Sequence, residues 1–279
     1  MTRQLVVTAD DLGLDVETNE AIVDLMSDGL VTATTLMTVA PAAADGVERV
    51  RAAGLPAPRL HVTLTSAREF RPWRPLAADV PSLTDGDGSF HADPRLFASA
   101  VTPEHVLREM TAQLGWMHRE GLRPAALDSH SGSLYGARGP ALMSTALRFS
   151  AEHDLGFRLP RRMPRIADVL WRGRARRRYD EAVAHAASLG VRLPETMVGC
   201  WAPGRLLASY AQLRASVLTQ LRFLPEGVSE LIVHPAPAAA AARLHGGEGR
   251  KRLFELRLLR DPAFRRTLRR EGIQLVPAW

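Results

Sequence analysis

The sequence predicts an α/β fold: a parallel sheet with helical crossovers, either closed into a barrel or doubly wound. Three observations predict it. Short β-branched apolar runs alternate with amphipathic helical segments along the whole chain. Composition shows no break and no repeat, so one domain over residues 1–279 is the simplest division. Several strand-like runs end in acidic or histidine residues, and the C-terminal strand ends are where an α/β barrel carries its chemistry.

The elements follow in order. Leu5-Val-Val-Thr-Ala9 reads as a buried strand and stops at Asp10-Asp11-Leu12-Gly13. Asp15 can cap a helix whose Val16, Ala21, Ile22, Leu25 and Met26 share a face, and Gly29 stops it. Val31–Val39 is a Thr-rich second strand, and a helix over 43–53 ends at Gly54. Leu60-His-Val-Thr-Leu-Thr65 alternates as a strand does. Residues 66–102 read as a long loop with Trp73, several prolines and Asp85-Gly-Asp-Gly88. That last run lacks the spacing and closing Glu of a calcium loop, so it reads as turn chemistry.

Thr102-Pro103-Glu104 opens a helix that runs to Gly121, with Pro at its first position. Ala125–His130 is a strand with a polar end. A helix over 140–153 leads to a strand near Phe157-Arg-Leu159, and residues 161–178 read as an Arg-rich irregular insertion. The rest alternates: helix 180–189, strand 196–200, helix 207–221, strand Glu230–His234, a last helix over 250–270, and Ile273–Val276.

Composition narrows the function classes. A chain of 279 residues, 46% hydrophobic and 24% charged, can bury a full core. The formal net charge of +6 is carried almost wholly by arginine, with Lys251 the only lysine. That pattern reads as coding bias, and no groove-reading motif accompanies it, so nucleic acid is not the expected ligand. Cys200 stands alone, which excludes an intrachain disulfide and a cysteine-based zinc site. The apolar run after Met1-Thr-Arg-Gln is too short for a secretory signal, and no stretch approaches a membrane span. A cytoplasmic protein with no membrane partner is expected, a homodimer being the base-rate oligomer.

Polar chemistry concentrates at four strand ends: Asp10-Asp11, His61, Asp128-Ser-His130 and His234. Taken singly, each has an ordinary explanation. Asp10 or Asp11 could cap the next helix, and a lone strand histidine is usually a satisfied rim residue. Joint placement at one barrel mouth is what raises them. A carboxylate and two neutral imidazoles can hold a divalent ion and leave positions open. A second carboxylate can take a proton from water, and a further histidine can protonate a leaving group. Asp10, Asp11, His61, His130 and His234 supply all of these parts.

Five runs match a known family in its order: Val7-Thr-Ala-Asp-Asp-Leu-Gly13, Gly29-Leu-Val-Thr-Ala-Thr-Thr35, Leu60–Thr65, Leu127-Asp-Ser-His130 and Ile232-Val-His-Pro235. With them the chain resembles the YdjC-like (ChbG/HpnK) carbohydrate deacetylases over nearly its whole length. The resemblance implies a distorted (β/α) barrel related to the polysaccharide deacetylases. It implies a hydrolase removing N-acetyl groups from an amino sugar or short oligosaccharide with one divalent ion, Mg²⁺ or Zn²⁺. It further implies Asp11, His61 and His130 as metal ligands, Asp10 as general base and His234 as general acid. Arg158, by analogy with the wider deacetylase superfamily, would orient the Asp10 carboxylate.

One departure stands out. Many relatives continue as Asp-Ser-His-x-His-x-His, whereas here Gly132 and Leu134 replace the later histidines. Two readings compete with deacetylation. One is another metallohydrolase, amidase or phosphoesterase, on the same site. The other is a carbohydrate-binding module without catalysis.

Overall fold

The central strand is β1, Arg3–Leu12, flanked by parallel neighbours on both sides. In the computed structural model, residues 2–66, 72–135, 142–163, 173–244 and 247–279 are described. The other strands are β2 (Ala33–Leu36), β3 (Arg59–Val62), β4 (Ala126–Ser129), β5 (Gly156–Phe157), β6 (Met197–Val198), β7 (Gly227–Val233) and β8 (Ile273–Leu275). All pairings are parallel, in the order β5-β4-β3-β2-β1-β7-β6, with β8 against the start of β1.

The curved sheet closes irregularly between β5 and β7. Phe157 N–H donates to the Arg192 carbonyl (2.9 Å), and Arg161 N–H to that of Pro194 (2.8 Å). On the other side, Glu195 N–H donates to the Val228 carbonyl (2.8 Å). Segment 192–196 thus stands where a regular strand would complete the ring. The distorted barrel that the family resemblance implies is the fold observed, rather than a doubly wound sheet.

The described helices pack outside: α1 (Val16–Ser27), α2 (Ala43–Ala52), α3 (Pro94–Ala100), α4 (Pro103–Arg119), α5 (Met143–Glu152), α6 (Arg174–Ser188), α7 (Tyr210–Arg222), the short α8 (Ala238–Ala241), α9 (Glu248–Arg260) and α10 (Pro262–Arg270). Strand periodicity divides β1 between two environments. Leu5, Val7 and Ala9 join the apolar core with Ile22 and Leu25 of α1. Thr8 and Asp10 face the barrel interior, where they meet Glu230 and Arg158. The interior is therefore lined by buried charge where barrels usually stack aliphatic layers.

Several expectations are corrected. Residues 66–102 are not one loop: they contain a 3-10 turn (Pro81–Leu83) and α3, started by the Asp93 cap and Pro94. The described part is tied down by Glu109 of α4, which accepts the N–H groups of Leu76 (3.1 Å) and Ala77 (2.8 Å). The 161–178 insertion is irregular only at its start, because α6 begins at Arg174; residues 164–172 lie outside those described. The start of the 140–153 helix falls on 140–141, also outside them, and α5 begins at Met143. The last helix is two helices. Pro262 has no N–H to continue the ladder, and Asp261 caps the restart by accepting Ala263 N–H (2.7 Å).

Candidate active site

β1 does not stop at Ala9; it carries Asp10 and Asp11 inside it. Pairing with β2 shifts register between Ala9 and Leu12, which leaves an extra residue on β1. Asp11 takes up that residue at φ 71°, in the left-handed region that aspartate tolerates. Regular alternation would send neighbouring carboxylates to opposite faces. The bulge turns both toward the strand's C-terminal end.

Asp11 Oδ1 lies 3.3 Å from His61 Nε2 and 3.4 Å from His130 Nδ1. The three residues are buried, and their ligand-type atoms fall within 4.8 Å of one another. Among the described residues, Asp11 Oδ1 and both ring nitrogens of His130 make no hydrogen bond. Buried polar atoms without partners, in a carboxylate–imidazole set, fit a divalent cation. A second cluster, Asp10, His61 and Asp128, is as compact, but Arg158 engages both of its carboxylates.

His61 Nδ1 pairs with Asp128 Oδ1 at 2.6 Å, leaving Nε2 for Asp11. Burial disfavours the charged ring, but Asp128 outweighs it, with Asp11 adding, and pushes the His61 pKa up to about 10. Asp11 is held well below the usual carboxylate range: burial would raise it, and Arg252 with the two histidines overcomes this. Arg252 of α9 reaches Asp11 Oδ2 at 2.5 Å.

Asp10 sits beside this centre. Arg158 grips it with both arms, Nη1 to Oδ2 at 2.7 Å and Nη2 to Oδ1 at 2.9 Å. Thr35 Oγ1 donates to Oδ1 at 3.0 Å. Burial pushes the Asp10 carboxyl up, but Arg158 prevails and holds it at about 2. His234 Nε2 stands 3.8 Å from Asp10 Oδ2, and Nδ1 stands 3.7 Å from Glu255. Glu255 also accepts the His234 backbone N–H at 2.7 Å, which fixes the end of β7.

All six residues expected from the sequence, Asp10, Asp11, His61, His130, Arg158 and His234, line one cavity of about 510 Å³. Apolar side chains, among them Met143, Leu159, Met197 and Trp201, line it as well. Trp73 packs beside His130 at 6.0 Å between rings and does not line the cavity. The departures at Gly132 and Leu134 have a structural reading. Gly132 adopts φ 67° in the turn after β4, and Leu134 is fully buried in the core. Sequence reasoning missed Asp128 as a histidine partner, although it stands two residues before His130 in its own motif. It also missed Thr35, although Thr35 closes one of the five matched runs, and Glu230, Arg252 and Glu255, which lie in none of them.

Fold and site together define a class: an α/β barrel with a buried carboxylate–histidine centre at the C-terminal ends of its strands. Comparison with known proteins gives the family. Residues 4–270 match the YdjC-like protein family, and the chain belongs to it. It is 34% identical over 161 residues to a carbohydrate deacetylase of Brevibacillus brevis, covering 56% of this chain and 59% of that one. The match thus spans about three fifths of that relative's length. A carbohydrate deacetylase of Mus musculus is 29% identical, covering 98% of this chain and 93% of its own. A crystal structure from Enterococcus faecalis, described as a cellobiose-phosphate cleavage protein, superposes with TM-score 0.79 at 25% identity, covering 99% and 97%. Among the described residues no helix is long and apolar enough to cross a membrane.

Proposed function

We propose that this chain is a metal-dependent hydrolase that removes N-acetyl groups from an amino sugar or a short amino-sugar oligosaccharide. One observation carries the reading: two imidazoles and a carboxylate converge with unsatisfied atoms, beside a second, ionised carboxylate and a further histidine, on one open cavity. The family relatives named carbohydrate deacetylase support the substrate class.

Asp11, His61 and His130 would hold the ion, Mg²⁺ or Zn²⁺. Bound there, it would lower the pKa of a water molecule and polarise the substrate's amide carbonyl. Asp10 takes the water's proton as oxygen adds to the carbonyl carbon. Arg158 keeps Asp10 ionised and aims its carboxylate, at the cost of basicity. His234, with Nδ1 turned to Glu255, presents Nε2 to the cavity and gives a proton to the amine as the C–N bond breaks. The products are acetate and the free amino sugar. Trp201 and Tyr179 offer aromatic faces on the cavity wall for a sugar ring. We place the protein in the cytoplasm with a small carbohydrate as its partner.

Acetate release from a panel of N-acetylated sugars with Mg²⁺, Zn²⁺, Mn²⁺ or Co²⁺ tests the reading. No release from any of them, or phosphate release from phosphoesters instead, overturns it. His61→Ala is expected to lose both metal and turnover. Asp10→Asn is expected to retain metal while kcat falls by about 10²–10⁴. An active Asp10→Asn would remove Asp10 from the role of base.

A further inference from the structure

The Arg158 guanidinium is enclosed by three carboxylates, and only two of them belong to the catalytic end of the barrel. Its Nη groups grip Asp10, and Nη1 also contacts Asp128. The other edge turns down the barrel axis. There Nε donates to Glu230 Oε1 at 3.0 Å, and Nη2 lies 2.9 Å from the same oxygen. Three of the arginine's N–H donors are thereby hydrogen-bonded to Asp10 and Glu230, and its charge is also paired with Asp128.

Glu230 is wholly buried, inside β7 rather than at its end. Alternation along the strand puts Glu230 on the face that carries His234 at the mouth, deeper in the barrel with Ile232 between them. Its own oxygens are crowded with donors. Oε1 accepts Thr8 Oγ1 (2.6 Å) and Arg59 Nη1 (3.0 Å) besides Arg158. Oε2 accepts the indole N–H of Trp279 at 2.8 Å. Trp279 in turn is fixed from two sides: Arg59 lies 4.7 Å above its ring, and its edge packs on Gly156 so closely that a Cβ there would come within 2.4 Å. A continuous chain of contacts therefore runs from Trp279, at the barrel's other end, through Glu230 and Arg158 to Asp10.

We propose that Glu230 is a positioning residue for the reaction, acting through Arg158 on the Asp10 carboxylate, and that Trp279 orients Glu230. This rests on the assignment of Asp10 as general base. The logic is geometric. With Asp10 and Asp128 alone, only the Nη side of the guanidinium would be held, and the side chain could tilt about that side. Glu230 grips the opposite edge and removes that freedom. A carboxylate is required at 230, since the isosteric amide would present its NH₂ group to one of the neighbouring donors.

The test compares the native chain with Glu230→Gln, Trp279→Phe and the double variant. Glu230→Gln is expected to lower kcat by about ten- to a hundredfold, with KM unchanged. The affinity for Zn²⁺ measured calorimetrically stays within about twofold, because no ligand atom is touched. Trp279→Phe lowers kcat by about two- to tenfold. In the double variant it adds nothing to the loss from Glu230→Gln, since it acts through that residue. A second readout needs no substrate. The Arg158 Nε–H is followed by ¹H–¹⁵N NMR, assigned with Arg158→Lys. Its exchange with solvent is expected to quicken by about tenfold or more in Glu230→Gln.

Unchanged kcat in Glu230→Gln overturns the proposal, as do multiplicative losses in the double variant, or a parallel loss of Zn²⁺ affinity. If Glu230→Gln does not fold, Trp279→Phe decides by the same kcat and exchange measurements, and no change in either overturns the proposal. If the native chain releases no acetate but the Nε–H exchange quickens, the deacetylase reading falls while the positioning of Arg158 by Glu230 stands.

Discussion

Among single residues, His61 works under the tightest constraint, because its two ring nitrogens face two different carboxylates. Asp128 fixes the ring and its tautomer, as an outer-shell carboxylate does for a metal-bound histidine. The same pairing raises the ring's pKa to about 10, so the imidazole holds its proton at neutral pH. A divalent ion at Nε2 must expel that proton. Below pH 10, then, apparent metal affinity is expected to rise by about tenfold per pH unit, with about one proton released per ion near pH 8. Calorimetry in buffers of different ionisation enthalpy reads both quantities. A pH-independent affinity between pH 7 and 9 would contradict the assignment of His61 as a ligand. Asp128→Asn should weaken metal binding by about 10–100-fold, measured by the same titration.

At the scale of elements, the bulge that ends β1 and the turn into α1 form one construction. Asp11 bulges within the strand at φ 71°, and Gly13 follows just past its end at φ 97°. Gly13 N–H donates to Asn19 Oδ1 at 2.6 Å, which ties the turn to α1. A Cβ on Gly13 would meet the Met37 carbonyl oxygen at 3.0 Å and Ala43 Cα at 3.2 Å. Positive φ and backbone crowding act together here, so Gly13→Ala is expected to cost about 1–3 kcal/mol. Asp15→Ala, which removes the side chain that accepts Thr18 N–H at 2.8 Å, should cost about 1 kcal/mol. Urea unfolding of the two variants compares these costs. Because the Gly13 turn also fixes Asp11, its variant should weaken metal binding as well, whereas the cap variant should not.

For the whole molecule, the polar barrel interior couples stability to acid. Asp10, Asp11 and Glu255 all have carboxyl groups held below their ordinary range by buried cations or histidines, against the opposing pull of desolvation. A depressed folded pKa contributes stability that is present above the unfolded value and lost as pH falls through the folded one. For Asp10, ordinarily 3.8 and here about 2, that window runs from about pH 4 down to about pH 2. This residue alone contributes roughly 2 kcal/mol, by the usual conversion of pKa shift to free energy. Urea-unfolding free energy should therefore decline steeply below pH 4, and Asp10→Asn should make the decline shallower. An equal slope in both proteins would show that Asp10 is not ionised against Arg158 in the folded state.

Local sequence was sufficient for the order of the strands and most of the helices, because apolar periodicity and caps such as Asp15 and Thr102 act over a few residues; α3, inside the span read as a loop, escaped it. Strand ends bearing Asp10, Asp11, His61, His130 and His234 were legible for the same reason: a chemically costly residue breaks an apolar run. The break at Pro262 was legible in principle, since the missing N–H is a property of that residue, yet the helical pattern on either side obscured it. The Asp11 bulge was not legible, because register against β2 is a relation between two strands. Nor was the network of Glu230, Arg59, Arg158 and Trp279, whose members stand far apart in the chain and meet only when the barrel closes. By itself, then, the sequence determined which residues could do the chemistry and the family they belong to. Tertiary structure decided which carboxylate faces the histidines, which faces Arg158, and what holds that arginine, because those choices depend on distances that only the closed sheet sets.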